Sequence, residues 1–235
     1  MPHMPVLGVD GCRGGWIAAS APSLADEPTV HLFATFGALV DAVRAPGSLA
    51  FVDVPIGLAD ARRACDGEAR RLLGPRRACC VFTPPSRRAL AGRSPAEIRR
   101  LNIAATCGRN LSSQALGIVD KIREVDALMT PALQARIRET HPECTFAALS
   151  PERTGLPHGK KSTEGRRLRL ALLPPPFARA AATRPFPAGA VALDDYVDAL
   201  AALSAALRFG AGEGACFPAG GEERDEKGLA MEIRF

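Results

Sequence analysis

Short apolar runs near the start of the chain are separated by glycine, proline and serine. Runs over 5–10, 15–21 and 29–36 have the length and the β-branched or aliphatic content of strands. Because only short turns join them, we predict that these three strands form an antiparallel meander. A short helix near Leu39 and a fourth strand over 49–54 follow. The helix between the third and fourth strands permits a parallel crossover.

The second half of the chain mixes helical and extended patterns. Apolar residues recur at helical spacing over 111–129, and Ser112 or Asn110 is a candidate cap for this helix. The later segments give further predictions. We predict a fifth strand over 141–149, a helix over 164–173, an Ala- and Leu-rich helix over 194–209 and a final edge strand over 229–235.

The middle of the chain, about 58–140, is Arg-rich and mostly helical in pattern. Between Arg62 and Arg109 there are twelve arginines and three acidic residues, a local excess of nine positive charges. Forked guanidinium contacts suit phosphate groups, so this segment predicts a polyanionic partner such as nucleic acid. A solvated helical surface is an equally good interpretation. We interpret the segment as an insertion in a single domain that covers 1–235.

Composition narrows the class of protein. Apolar residues make up 47% and charged residues 23% of the chain, which is typical of a globular protein in water. No run approaches the roughly 20 apolar residues of a membrane helix, and no signal peptide is evident, so we expect a cytoplasmic protein without membrane contact. Seven cysteines without a Cys-x-x-Cys pair argue against a disulfide framework or a zinc ribbon. The sequence does not determine the oligomeric state, and a homodimer is one of the states that it allows.

Two aspartates stand where predicted strands end. Asp10 follows the first apolar run and precedes a glycine-rich turn, and Asp53 follows the fourth. Neighbouring strands would bring the two carboxylates together, and such a pair persists most easily with a cation between them. Carboxylate oxygens are ligands of hard divalent cations, and sites with two such ions perform phosphoryl chemistry.

Other acidic residues and one histidine are further candidates. Asp195 and Asp198 share one face of the late helix, although acids in a first turn also stabilise a helix N-terminus. Glu143 lies in the predicted fifth strand and is a candidate catalytic carboxylate and ligand. His141, before Pro142, suits either a general base or a hydrogen-bonded structural residue.

Basic residues near these acids are candidates for substrate contact. Lys160 and Lys161 stand in a predicted loop, where they would hold a phosphate or balance charge in a transition state. Lys121 and Arg123 lie on the polar side of the 111–129 helix. For each of them, a solvated charge is the alternative interpretation.

Six short motifs, in one order along the chain, resemble a known family. They are Gly8–Trp16, Val52–Gly57, Cys65–Arg70, Lys121–Asp126, His141–Glu143 and Lys160–Ser162. The family is a bacterial and archaeal domain of unknown function, described as predicted ribonuclease-H-like nucleases. The resemblance implies an α/β, ribonuclease-H-like fold, in which helices flank a mixed sheet of five strands and the first three strands are antiparallel.

The resemblance also implies a site. Nucleases of this fold hold two Mg²⁺ or Mn²⁺ ions with acids on the first strand, the fourth strand and a late helix. By position these acids are Asp10, Asp53, and Asp195 with Asp198; the last two resemble the arrangement in Holliday-junction resolvases. Arg13, in the turn of the first motif, is a further candidate for substrate contact.

Three functions remain open from the sequence. The first is a metal-dependent nuclease that cleaves nucleic acid with a two-metal carboxylate site and holds the backbone with the Arg-rich segment. The second is a nucleotide-binding phosphotransferase or ATPase, because related folds place an aspartate and a glycine turn against nucleotide phosphates. The third is a nucleic-acid-binding module without catalysis.

Overall fold

The central feature of the molecule is a mixed sheet of five strands. The computed structural model describes residues 6–184, 186 and 189–235. The strands are β1 (Val6–Cys12), β2 (Gly15–Ser20), β3 (Thr29–Phe33), β4 (Leu49–Val52) and β5 (Ile137–Glu139), in the order β3-β2-β1-β4-β5. Strand β2 pairs antiparallel with β1 and β3, whereas β4 is parallel to β1 and β5 is parallel to β4. The predicted meander and parallel crossover are therefore confirmed.

Helices flank this sheet. In chain order they are α1 (Phe36–Ala42), α2 (Ala64–Arg77), α3 (Pro95–Ala105), α4 (Ser113–Gly117), α5 (Val119–Leu128), α6 (Pro131–Gln134), α7 (Pro142–Leu149), α8 (Thr163–Leu172), α9 (Pro175–Thr183) and α10 (Leu193–Gly210). Two short 3₁₀ helices cover Ala78–Cys80 and Arg87–Ala91. A separate two-stranded sheet pairs β6 (Cys216–Phe217) with β7 (Ile233–Arg234).

Three predicted elements need correction. The predicted strand over 141–149 is helix α7, because Pro142 occupies a first-turn position where its fixed φ and missing N–H suit a helix. The strand that completes the sheet is the three-residue β5, just before it. The predicted helix over 111–129 is two helices, broken at Ile118, with Ser112 capping the first. The predicted strand over 229–235 shrinks to β7.

The sheet has an apolar core on each face. Leu7 and Val9 pack in one cluster with Ile122 of α5, whereas Ile17 packs in another with Leu200 of α10. This alternation follows the two-residue period of strands, which sends successive side chains to opposite faces. Helix α10 is thereby fixed across the sheet, and its first turns lie where β1 and β4 end.

Two simpler expectations can be compared with the structure. Among the described residues, no helix has both the length and the apolar character that crossing a membrane requires. All seven cysteines are free thiols. Three of them, Cys12, Cys65 and Cys144, are buried, whereas Cys79 and Cys107 are exposed.

Candidate functional site

Carboxylates from three separate elements converge beside the central strands. Asp10 lies within β1, Asp53 directly follows β4 and Asp198 lies in α10. A carboxylate oxygen of each lies within 4.8 Å of one from both others. Asp53 is positioned by its backbone N–H, which donates to the carbonyl of Val9 at 2.9 Å. Asp10 is not at the end of its strand as predicted, because β1 continues to Cys12 and turns tightly into β2.

Burial and mutual repulsion disfavour the ionised forms of these groups. Desolvation, followed by the charges of Asp53 and Asp198, raises the pKa of Asp10 well above its ordinary value. Burial raises the pKa of Asp53, against the opposing charges of His141 and Lys160. It also raises the pKa of Asp198 to about 7, against the opposing charge of Lys160. A cation among the three carboxylates would favour their ionised forms.

In metal-free buffer, the melting temperature should therefore fall as the pH rises through about 7. Because the folded pKa values are raised, the protonated carboxyls stabilise the protein fully at a pH below the ordinary aspartate pKa of 3.8. This stabilisation is lost as the pH rises through the folded pKa, which is about 7 for Asp198. Thermal melting in EDTA, from mildly acidic to mildly alkaline pH, measures this loss. The fall should be shallower in Asp10→Asn, which removes one of the repelling charges. Parallel curves for the two proteins would contradict the prediction.

Lys160 places an ammonium group against this cluster. Its Nζ donates to Oδ2 of Asp198 at 2.5 Å, and the Asp198 side chain is only 4% exposed. Although burial opposes it, the charges of Asp198 and Asp10 raise the pKa of Lys160. The sequence predicted Lys160 as a phosphate contact, whereas the structure shows it paired with one of the predicted ligands.

The cluster lies in a cavity of about 680 Å³, which other predicted site residues also line. Asp195 lines it, but its carboxylate accepts the backbone N–H of Ala192 at 3.2 Å at the start of α10 and lies outside the three-carboxylate cluster. Lys161 is exposed and lines the same cavity. His141 also lines it, with Nε2 3.3 Å from the carbonyl of Cys80.

Glu143 lines the cavity too, but both of its oxygens are already bound. Arg169 donates to them at 2.6 and 2.8 Å, and Arg77 donates to one at 3.0 Å. Although burial opposes it, Arg169 above all keeps the pKa of Glu143 below its ordinary value. The side chain predicted as a catalytic carboxylate is therefore one partner in a buried ion-pair network, in the first turn of α7.

Three of the predicted substrate contacts are not among the residues that line the cavity. Arg13 is exposed in the turn between β1 and β2. Lys121 donates to the carbonyl of Gly15 at 2.6 Å and lies over the Trp16 ring. Arg123 donates to the carbonyl of Leu90 at 2.9 Å, which ties α5 to the preceding segment. Lys121 and Arg123 thus make contacts within the protein.

A second buried group, missed from the sequence, contributes Asp66 and Glu139 to the lining of the same cavity. Arg63 donates to Glu139 at 2.5 Å and lies 3.3 Å from Asp66, and a second oxygen of Glu139 accepts the N–H of Ile56. Burial raises the pKa of Glu139 to about 8 in spite of Arg63. Glu139 follows Arg-Ile-Arg, which is no apolar run, so the signal that identified Asp53 is absent here.

Eleven of the twelve arginines between 62 and 109 fall into an internal or an exposed group, and Arg99 is half-buried. Five donate to groups within the protein: Arg63, Arg70, Arg77, Arg87 and Arg109. Six are exposed: Arg62, Arg71, Arg76, Arg88, Arg93 and Arg100. The surface charge available to a polyanion is thus about half of what the count of twelve predicted.

Comparison with known proteins identifies the family of the chain. Neither the curated proteins nor the solved structures include a match to the chain. One family model matches residues 8–223, which is most of the chain and includes all three clustered aspartates. The predicted membership of a domain-of-unknown-function family is thereby confirmed. The chain belongs to the family described as protein of unknown function (DUF429).

Proposed function

We propose that the protein is a Mg²⁺- or Mn²⁺-dependent nuclease with a ribonuclease-H-like fold, which hydrolyses phosphodiester bonds of nucleic acid. The observation that carries this proposal is the convergence of Asp10, Asp53 and Asp198 within 4.8 Å. The strand order β3-β2-β1-β4-β5, with β2 alone running opposite to the others, supports the fold assignment. The resemblance implies such a mixed sheet of five strands, with the first three antiparallel.

The donor set suits a hard divalent cation. All three clustered groups offer carboxylate oxygens, which Mg²⁺ and Mn²⁺ prefer as ligands. The pKa values of Asp10, Asp53 and Asp198 are raised, and a bound cation would stabilise their ionised forms. When bound, such an ion supplies Lewis-acid stabilisation and lowers the pKa of a water molecule.

In the proposed mechanism, different residues of the chain bind the ion, contact the phosphodiester and attract the nucleic-acid backbone. Asp10 and Asp53 bind the ion from neighbouring strands, which hold the two carboxylates at a fixed separation. Lys160 and Lys161 present positive charge to a phosphodiester that enters the cavity. The exposed arginines of the 62–109 segment attract the nucleic-acid backbone in a manner that depends on salt but not on sequence.

The direct test is cleavage by purified protein. Single-stranded, double-stranded and branched DNA, RNA and hybrid substrates are incubated with Mn²⁺, Mg²⁺ or EDTA. We expect cleavage with either ion and none in EDTA. Asp10→Asn should lower the rate at least about 100-fold, as expected when charge stabilisation in a transition state is lost. Because the Asn oxygen can still accept the Gly11 N–H that Asp10 Oδ1 accepts at 2.7 Å, the fold should persist.

Asp41→Asn is the matched control. Asp41 is exposed and pairs with Arg44 on the surface, so this variant changes the same charge away from the cavity and should cleave like the wild type. Equal rates in the two variants would mean that cleavage arises elsewhere. Two other results would replace the proposal: ATP hydrolysis without cleavage would favour a phosphotransferase, and salt-sensitive binding without cleavage would favour a binding module.

A further inference from the structure

The loop that carries Lys160 is fixed in place by contacts on both sides. Residues 159–162 form a tight turn, in which the backbone N–H and the hydroxyl of Ser162 both donate to the carbonyl of Gly159, at 3.0 and 2.9 Å. Gly165 of α8 packs so closely on this turn that a Cβ there would lie 2.0 Å from the Gly159 oxygen. The tightly packed backbone of this turn therefore positions the Lys160 ammonium next to Asp198.

A second anchor ties this loop to the ion-pair network. Arg169, which is 1% exposed, donates to the carbonyls of His158 and Gly165 at 3.0 and 2.8 Å while it binds Glu143. The segment just before Lys160 is thus joined to helix α7 through a buried guanidinium. Such support preorganises a charged side chain instead of leaving it to sample solvent.

Three other acids that line the cavity already pair with arginine. Glu143 has Arg77 and Arg169, whereas Asp66 and Glu139 share Arg63. Asp194 and Asp195 lie in the first turn of α10, outside the three-carboxylate cluster, where the helix N-terminus favours acids. Within the cluster, three carboxylates face one ammonium. When all are ionised, the sum is two negative charges, which one divalent cation neutralises.

We propose that the site holds one divalent cation, and that the ammonium of Lys160 takes the place of a second. This inference rests on the proposed nuclease function and differs from the two-metal site that the family resemblance implies. Asp10 and Asp53 would bind the ion, while Asp198 stays paired with Lys160. In the reaction, Lys160 would hold a non-bridging oxygen of the scissile phosphate and balance the charge that develops there.

Counting bound Mn²⁺ tests the inference without any substrate. Equilibrium dialysis and calorimetry on the full chain should give one ion per chain for the wild type. Lys160→Met removes the ammonium but keeps the length of the side chain, and we expect it to bind two ions. Electron paramagnetic resonance supplies an independent readout, because two ions roughly 4 Å apart would be magnetically coupled whereas a single ion would not.

Two further variants make the test specific. Lys161→Met changes the same charge at the neighbouring position, which has no bond to Asp198, and should still bind one ion. Lys160→Arg keeps the charge and should also bind one, so it tests the inference even if Lys160→Met does not fold. Circular dichroism checks the folding of each variant.

The outcomes separate this inference from the function on which it rests. Two ions in the wild type, one ion in a folded Lys160→Met, or two in Lys161→Met would each overturn the role of Lys160. All three results would leave a metal-dependent nuclease intact. A wild type that binds no Mn²⁺ at all would overturn both proposals.

Discussion

Replacing Gly8 by alanine is expected to destabilise the protein by about 3 kcal/mol or more, at the upper end of the cost of overpacking. A Cβ at this position would lie 1.9 Å from the backbone nitrogen of Leu203 and 2.2 Å from the carbonyl oxygen of Ala199. Both atoms belong to the backbone of α10, so no side-chain rotation can relieve the clash. The helix must move away from β1. The midpoint and slope of urea unfolding measure the loss.

A second glycine provides the control. Gly117 ends α4, and in the described part of the chain no heavy atom outside its own helix and chain neighbours lies within 4 Å of the position that a Cβ would take there. Gly117→Ala should therefore keep or raise the stability by up to about 1 kcal/mol. Gly8→Ala should also weaken Mn²⁺ binding, because Ala199 follows Asp198 directly and the two move together. An unchanged midpoint in Gly8→Ala would mean that α10 does not lie this close to β1.

The first four strands could be predicted because their signals are local. Each is an apolar run bounded by glycine, proline or serine, and strands joined by short turns must be antiparallel. Asp10 and Asp53 were found for the same reason, since each stands at or near the end of such a run. That their carboxylates meet follows from the parallel pairing of β1 with β4.

The fifth strand could not be located with the same rules. Residues 141–149 are a short apolar run, and such a run fits a strand or a buried helix equally well. All of α7 except its last two residues is buried, so it shows no alternation that periodicity could detect. Strand β5 has only three residues and is defined by its parallel pairing with β4. Its Glu139 accepts the N–H of Ile56, 83 residues earlier in the chain.

The partners of charged residues were beyond the sequence as well. Lys121 and Arg123 were correctly placed near a helix surface, but their contacts with the carbonyls of Gly15 and Leu90 depend on how α5 packs. The pairing of Lys160 with Asp198 joins residues 38 apart. Composition gives the charge of a side chain, whereas tertiary structure decides whether another charge already holds it.

Arg169→Met should be the most damaging change in the polar network, at about 3–5 kcal/mol. The guanidinium is 1% exposed, binds both oxygens of Glu143 and donates to the carbonyls of His158 and Gly165, which flank the Lys160 loop. Without it, a buried carboxylate keeps only Arg77 as its partner. Urea unfolding measures the cost. Arg167→Met is the control on the same helix, because Arg167 forms an exposed pair with Glu164 and its loss should leave the midpoint unchanged.

The double variant Glu143→Met/Arg169→Met separates charge pairing from loop support. If the cost of Arg169→Met comes from an unpaired carboxylate, removing Glu143 as well should recover much of the stability, because apolar replacements of buried ion pairs are often tolerated. The anchor on His158 would still be missing, so Lys160 should lose its fixed position and Mn²⁺ binding should change in both variants. A double variant less stable than Arg169→Met would show that Glu143 stabilises the fold through Arg77 alone.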